Sequence, residues 1–135
     1  MTDDHTARRE RGKALMRDVY GWDIEPSTPF ERQTVDHLFG EVWAEGALSV
    51  RDRRLVLIGL AAGSGLEDVA GLQLQAAVDK GELDVDDLRT LVVFLAHYAG
   101  WPRAARLNTE VERIVARRAK ADRAGEAPPD DGTTP

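Results

Sequence analysis

The sequence predicts an all-α protein, a bundle of about six helices. Two observations lead there. Apolar residues recur at helical spacing in one segment after another, with glycines and prolines marking the breaks between them. No alternating apolar–polar run of useful length argues for a strand. At 135 residues with 42% hydrophobic content, the chain is long enough for a single core. That core is assigned to residues 1–124. From Gly125 the segment Gly-Glu-Ala-Pro-Pro-Asp-Asp-Gly-Thr-Thr-Pro is too poor in apolar surface to order itself, so 125–135 reads as a disordered tail.

The first helix is expected over Thr6 to Tyr20, where Ala14, Leu15 and Val19 are an apolar minority in a charged segment and Gly21 stops the run. Residues 22–29 contain two prolines and read as an extended connector. A second helix starts at Thr28. Pro29 follows at the first helical position, and Glu31 lies three residues after Thr28 in the spacing of a capping box. Its apolar stripe is Val35, Leu38, Phe39 and Val42, with Trp43 adjacent and Gly46 closing it.

Ser49 opens the third helix, with Asp52 in the box position, and Leu55 to Ala62 is apolar on nearly every side. A helix of that kind is buried, either in its own core or against another subunit. Gly63-Ser64-Gly65 ends it. The fourth helix, over about 66–80, carries Leu66, Val69, Ala70 and Ala77 on one stripe, and Gln73 falls on the same stripe. Asp84 and Asp87 are candidate caps for the fifth, whose surface is Leu88, Leu91, Val92, Phe94 and Leu95. Pro102 opens the last, with Leu107, Val111, Ile114 and Val115 as its stripe. More helix surface is apolar than one small core needs, which predicts a homo-oligomer.

Composition excludes several function classes. The formal net charge is -6, and basic residues are mixed with acidic ones almost everywhere, so no basic stripe suggests a nucleic-acid partner. Arg117-Arg118 reads as a solvated helix face beside Glu112 and Asp122. Gly63-x-Gly65 lacks the third glycine and the preceding strand of a dinucleotide site. No apolar run approaches the ~20 residues of a membrane span. The polar start at Met1-Thr-Asp-Asp-His does not resemble a signal peptide, so the expected location is cytoplasmic. There is no cysteine, which removes thiolate and disulfide chemistry. Three histidines (His5, His37 and His97) supply a metal site poorly. No metal or cofactor is expected.

The stretch Phe39-Gly-Glu-Val-Trp-Ala-Glu-Gly-Ala-Leu-Ser-Val-Arg-Asp-Arg53 resembles the Gly-Glu-Val-Trp, Gly-Leu-Ser and Arg segments of the carboxymuconolactone decarboxylase family. The apolar helix that follows, the Ala-rich helix ending at Gly81 and the Asp-Asp-Leu at 86–88 come in the family's order. Ala96-His-Tyr-Ala-Gly-Trp-Pro102 is similar to its Tyr-x-Gly-x-Pro signature, and Arg8 to Tyr20 to its leading helix. The similarity covers about residues 8–118. It implies an alkyl hydroperoxidase D-like helical fold assembled as a homotrimer or homohexamer. In the decarboxylase branch, the activity is cofactor-independent removal of CO2 from a small carboxylated lactone in aromatic catabolism. The peroxidase branch works through a Cys-x-x-Cys pair that this chain does not possess. The family's Glu-x-x-x-His pair is also missing: the histidine falls within a residue of Gln73 and the glutamate on Asp68 or Val69. The competing expectation is therefore a non-catalytic oligomer that binds a small molecule or a protein.

Candidate residues each admit two readings. Gln73 is a pocket donor for a carboxylate or lactone carbonyl, or an amide bridging helices or subunits, since an unbonded buried amide costs ~1–3 kcal/mol. Arg53 matches the family arginine and suits a substrate carboxylate, with Arg51 and Arg54 as alternatives. Otherwise it pairs with Glu41 or a neighbouring chain. Glu41 acts as a general acid if an apolar pocket raises its pKa, or as a salt-bridge partner. His97 delivers a proton to the carbanion left by decarboxylation, or caps the last carbonyls of its helix. Trp43 walls a substrate pocket or sits in the core. Tyr98 and Trp101, beside Gly100, are substrate contacts or packing residues.

Overall fold

Helix starts fall where the sequence supplies side-chain caps. In the computed structural model, which describes residues 3–126, α1 spans Asp4–Tyr20, and the Asp3 carboxylate accepts from the His5 amide at its start. It ends at Gly21, whose φ of 75° is the left-handed conformation that a residue without Cβ adopts freely. The connector leads to α2 (Pro29–Gln33), opened by the expected capping box. The Thr28 hydroxyl accepts from the Glu31 amide at 3.2 Å, and the Glu31 carboxylate accepts from the Ser27 and Thr28 amides at 2.8 and 3.2 Å. Those backbone donors hold the Glu31 carboxyl below its ordinary pKa.

Beyond Gln33 the helix differs from expectation. Thr34–Val42 winds as a π-helix and closes with the Trp43 amide donating to the Leu38 carbonyl, five residues back, at 2.8 Å. The wider turn changes which residues face inward. Val35, Phe39 and Trp43, spaced by four, form the buried line, with Asp36 and Gly40 beside it. Leu38 and Val42, expected on the same stripe, are 42% and 48% exposed.

The remaining helices follow the expected order: α3 (Val50–Gly63), α4 (Glu67–Asp79), α5 (Val85–Ala99) and α6 (Trp101–Glu126). The Ser49 hydroxyl caps α3 through the Asp52 amide at 3.0 Å. Asp84 and Asp87 cap α5 reciprocally. No strand occurs among the described residues, and no helix is long and apolar enough to cross a membrane. Helix α6 continues through Gly125, where the tail was expected to begin, as far as Glu126. Residues 127–135, which carry the rest of that expectation, lie outside the described residues.

Two apolar clusters organise the packing. Ile58 of α3, Leu74 of α4, Leu88 and Leu95 of α5, and Leu107, Val111 and Ile114 of α6 make the larger one. Met16 and Val19 of α1 with Val35, Phe39 and Trp43 make the smaller, against which Leu57 of α3 also packs. The molecule is thus a four-helix bundle, α3 to α6, with the α1–π pair laid along α3 and α4. Within that pair the backbones nearly touch. A Cβ built on Gly12 would lie 1.9 Å from the Val35 carbonyl oxygen, and one on Gly40 would lie 2.7 Å from that of Arg8. Ion pairs flank the approach: Arg9 grips Asp36 bidentately at 2.9 and 2.8 Å, and Arg8 pairs with Glu41.

Gly12→Ala forces backbone apart from backbone, so it should destabilise the protein by about 3 kcal/mol, at the high end of the overpacking range. Gly63→Ala, with open space around the new methyl, should be close to neutral. Equilibrium unfolding in urea separates the two, and equal effects would show that the close approach at Gly12 imposes no constraint.

Candidate functional site

The site is built around a buried charge. Arg54 on α3 is fully buried. An unpaired guanidinium in that position would carry a prohibitive desolvation cost, so every contact it makes matters. Its Nε and Nη2 donate to the two carboxylate oxygens of Glu82, the latter at 3.1 Å. Nη2 also donates to the Val19 carbonyl at 2.8 Å, and Nη1 donates to the Gln73 side-chain oxygen at 3.1 Å. With its oxygen held, the Gln73 amide group has a fixed orientation. Its Nε2 donates to the Tyr20 hydroxyl oxygen at 2.6 Å. A directed chain of donors runs from Arg54 through Gln73 to Tyr20, each bond polarising the next.

The chain ends at an apolar cleft. A hollow of about 840 Å³ lies where α1, the connector, the π-helix, α3 and α4 meet, and Gln73 and Tyr20 both border it. The chain has three Trp, two Tyr and three Phe; five of these (Tyr20, Trp22, Phe30, Phe39 and Trp43) line this one hollow. Four of them form a continuous wall. Trp22 stacks on Tyr20 at 4.6 Å, Tyr20 meets Phe39 edge-on at 5.9 Å, and Phe39 stacks on Trp43 at 5.5 Å. No charged side chain among the described residues lines it. This combination of size, aromatic lining and a few converging polar groups is what small-molecule pockets share.

Of the residues singled out in the sequence, Gln73 and Trp43 reach this cleft. Gln73 is an amide bridging α1 and α3, and it also borders the hollow. Trp43 is likewise both core residue and pocket wall. Arg53 does not line this cleft; it borders an adjoining apolar hollow of about 290 Å³ that shares Leu38, Trp43 and Leu57 with it. Its two terminal nitrogens donate to the Trp43 and Glu45 carbonyls, where they cap the end of the π-helix, and its guanidinium sits 6.0 Å from the indole centroid. It does not pair with Glu41. Of the two readings of Glu41, the contacts are those of a salt-bridge partner: the Arg8 guanidinium first, then the His37 ring, hold its carboxyl below the ordinary value. It faces a separate polar cleft of about 350 Å³, also lined by His5, Arg8, Arg32, Asp36 and His37; Arg8 and His37 lie against Glu41, His5 lies against Asp36, and Arg32 donates to the Ser27 carbonyl.

His97, Tyr98 and Trp101 form a third group. His97 is exposed; its Nδ1 lies 2.7 Å from the Val93 carbonyl, one turn back, and its ring meets Trp101 edge-on. Tyr98 is 80% exposed and Trp101 67%. None of the three borders the aromatic cleft. Sequence reasoning missed Tyr20, Trp22 and Phe39 as cleft residues. They come from three segments, so no local spacing could have joined them. Arg54 entered only as an alternative to Arg53, because adjacent arginines at a helix start look alike until packing decides which one turns inward.

Glu82→Ala should destabilise the fold by about 3–5 kcal/mol, because it strands the Arg54 charge. The double variant Arg54→Met/Glu82→Leu should recover most of that loss in denaturant titrations. Additive losses in the double variant would show that the ion pair is not the coupled unit described.

Comparison with known proteins agrees with this architecture. Residues 28–112 match the model of the carboxymuconolactone decarboxylase family. Neither curated proteins nor solved structures gave a match. The matched region runs from the capping box of α2 into α6 and includes Trp43, Arg53, Arg54 and Gln73. As it spans more than half of the chain, this protein belongs to the carboxymuconolactone decarboxylase family.

Proposed function

We propose that this family member handles a small molecule in the aromatic cleft, with the Arg54–Gln73–Tyr20 chain addressing a polar group on it. The observation that carries the reading is Gln73. It stands within a residue of where the family pattern has its histidine, is 2% exposed, and is oriented by a buried cation at the edge of a hollow. An amide in place of an imidazole keeps the hydrogen bonds and gives up proton exchange near neutral pH. The cleft is thereby suited to holding and orienting a ligand.

The family reaction, loss of CO2 from a carboxylated lactone, needs a cation for the remaining carboxylate and an acid to return a proton. Arg53 would have to leave the Trp43 and Glu45 carbonyls to serve as that cation, and His97 and Glu41 do not border the cleft. Assembly of several copies, as a homotrimer or homohexamer, belongs to the same proposal. Leu60, Leu66, Val69 and Leu72 ring the cleft mouth at 64%, 50%, 43% and 41% exposure, an apolar rim of the kind that other subunits cover.

Nile red, an uncharged dye, should bind the wild-type protein with a gain in fluorescence. Leu57→Trp, which fills the cleft, should weaken that binding by at least about tenfold; Val69→Trp at the rim should keep it. Undiminished uptake by a folded Leu57→Trp variant would refute the location. Light scattering at micromolar concentration should give a trimeric or hexameric mass, and a monomeric mass would contradict the assembly.

A further inference from the structure

We infer that the ligand of the cleft is an uncharged aromatic or similarly planar molecule with one hydrogen-bond acceptor, such as a carbonyl, that receives the Tyr20 hydroxyl hydrogen. The inference rests on the small-molecule reading of the cleft and departs from the carboxylated substrate that the family name suggests. Three observations carry it.

The first is charge. Among the described residues, no Asp, Glu, Lys, Arg or His lines the cleft. The nearest buried cation, Arg54, lies behind Gln73 and is neutralised by Glu82 on both carboxylate oxygens. Arg53 is committed to two backbone carbonyls. A carboxylate entering this hollow would lose water and gain no counter-charge, which disfavours it strongly. An uncharged ligand meets no such cost.

The second is shape and surface. The rings of Trp22, Tyr20, Phe39 and Trp43 follow one another at stacking and edge distances and present a wall of π-faces. Flat apolar ligands pack on such a wall, and 840 Å³ leaves room for a fused-ring system.

The third is hydrogen-bond direction. A phenol carries one donor and two acceptor lone pairs. Gln73 Nε2 donates to the Tyr20 oxygen, so the hydroxyl is already an acceptor, and its hydrogen has no bonded acceptor among the described residues. Because Arg54 fixes which end of the Gln73 amide faces Tyr20, the direction of that bond is set. The free group is then a donor at the edge of an apolar hollow, and its complement is a ligand acceptor.

Three ligands on one ring system test this: the near-isosteric 2-acetylnaphthalene and 2-naphthoate, and unsubstituted naphthalene. Binding is read by quenching of tryptophan emission, since Trp22 and Trp43 lie in the wall, and by calorimetry. At pH 7.5 the ketone should bind at least about tenfold more tightly than the carboxylate. Tyr20→Phe should weaken the ketone by about two- to tenfold and leave naphthalene unchanged, a difference that mere disturbance of packing would not produce. Equal or tighter binding of 2-naphthoate would overturn the uncharged-ligand inference while leaving the small-molecule reading intact. Failure of all three to bind would overturn both. An unaltered ketone affinity in a folded Tyr20→Phe variant would overturn the assignment of the hydroxyl donor.

Discussion

A guanidinium removed from water must find its partners before the rest of the chain can settle, and Arg54 imposes that requirement here. Its four acceptor contacts come from Glu82, Gln73 and Val19, that is, from beyond α4, from α4 and from α1. Satisfying one of them alone would leave most of the desolvation cost in place. The bundle of α3 to α6 and the α1–π pair are therefore joined by something more demanding than apolar contact. Greasy surfaces can slide; a bidentate ion pair with two further acceptors fixes a register.

The cleft follows from that junction. Two separate apolar clusters meet along α3 without merging, and the space left between them is walled by aromatic rings from α1, the connector and the π-helix. The π winding contributes directly. It places Phe39 and Trp43 on one inward line and leaves a carbonyl-rich end, which Arg53 caps. Two adjacent arginines thus take unrelated roles: Arg54 orders the interior, and Arg53 binds the carbonyls at the end of the π-helix. Neither is a free anchor for an anion.

Placing an amide at Gln73 is consistent with this arrangement. Its oxygen must accept from Arg54 and its nitrogen must donate to Tyr20, and an amide supplies one of each in a fixed geometry at any pH. A histidine could meet both demands only in one tautomer, and it would bring a second titratable charge beside a buried cation. The amide therefore suits the proposed role of the cleft, in which direction of hydrogen bonding and apolar contact select the ligand.

The sequence by itself determined the helices, their caps and the family. Thr28 with Glu31, Ser49, and Asp84 with Asp87 act within a turn of where they stand, so local chemistry fixes those starts. The stripe Leu107, Val111 and Ile114 is buried as its spacing requires. Gln73 was legible as anomalous, because a polar group on an apolar stripe demands an explanation. Tertiary structure alone decided the rest. Whether Thr34–Val42 is α or π changes the inward face by a fraction of a turn, and its Val35 carbonyl lies against Gly12 in a contact between distant segments. Which of Arg53 and Arg54 turns inward depends on Glu82, far along the chain. Glu41, left by the sequence as either an acid in an apolar pocket or a salt-bridge partner, meets Arg8 because α1 packs against the π-helix, and His37 four residues back on its own helix. Spacing records what a residue can do within its own helix; a charge or a pocket depends on what packing brings from elsewhere.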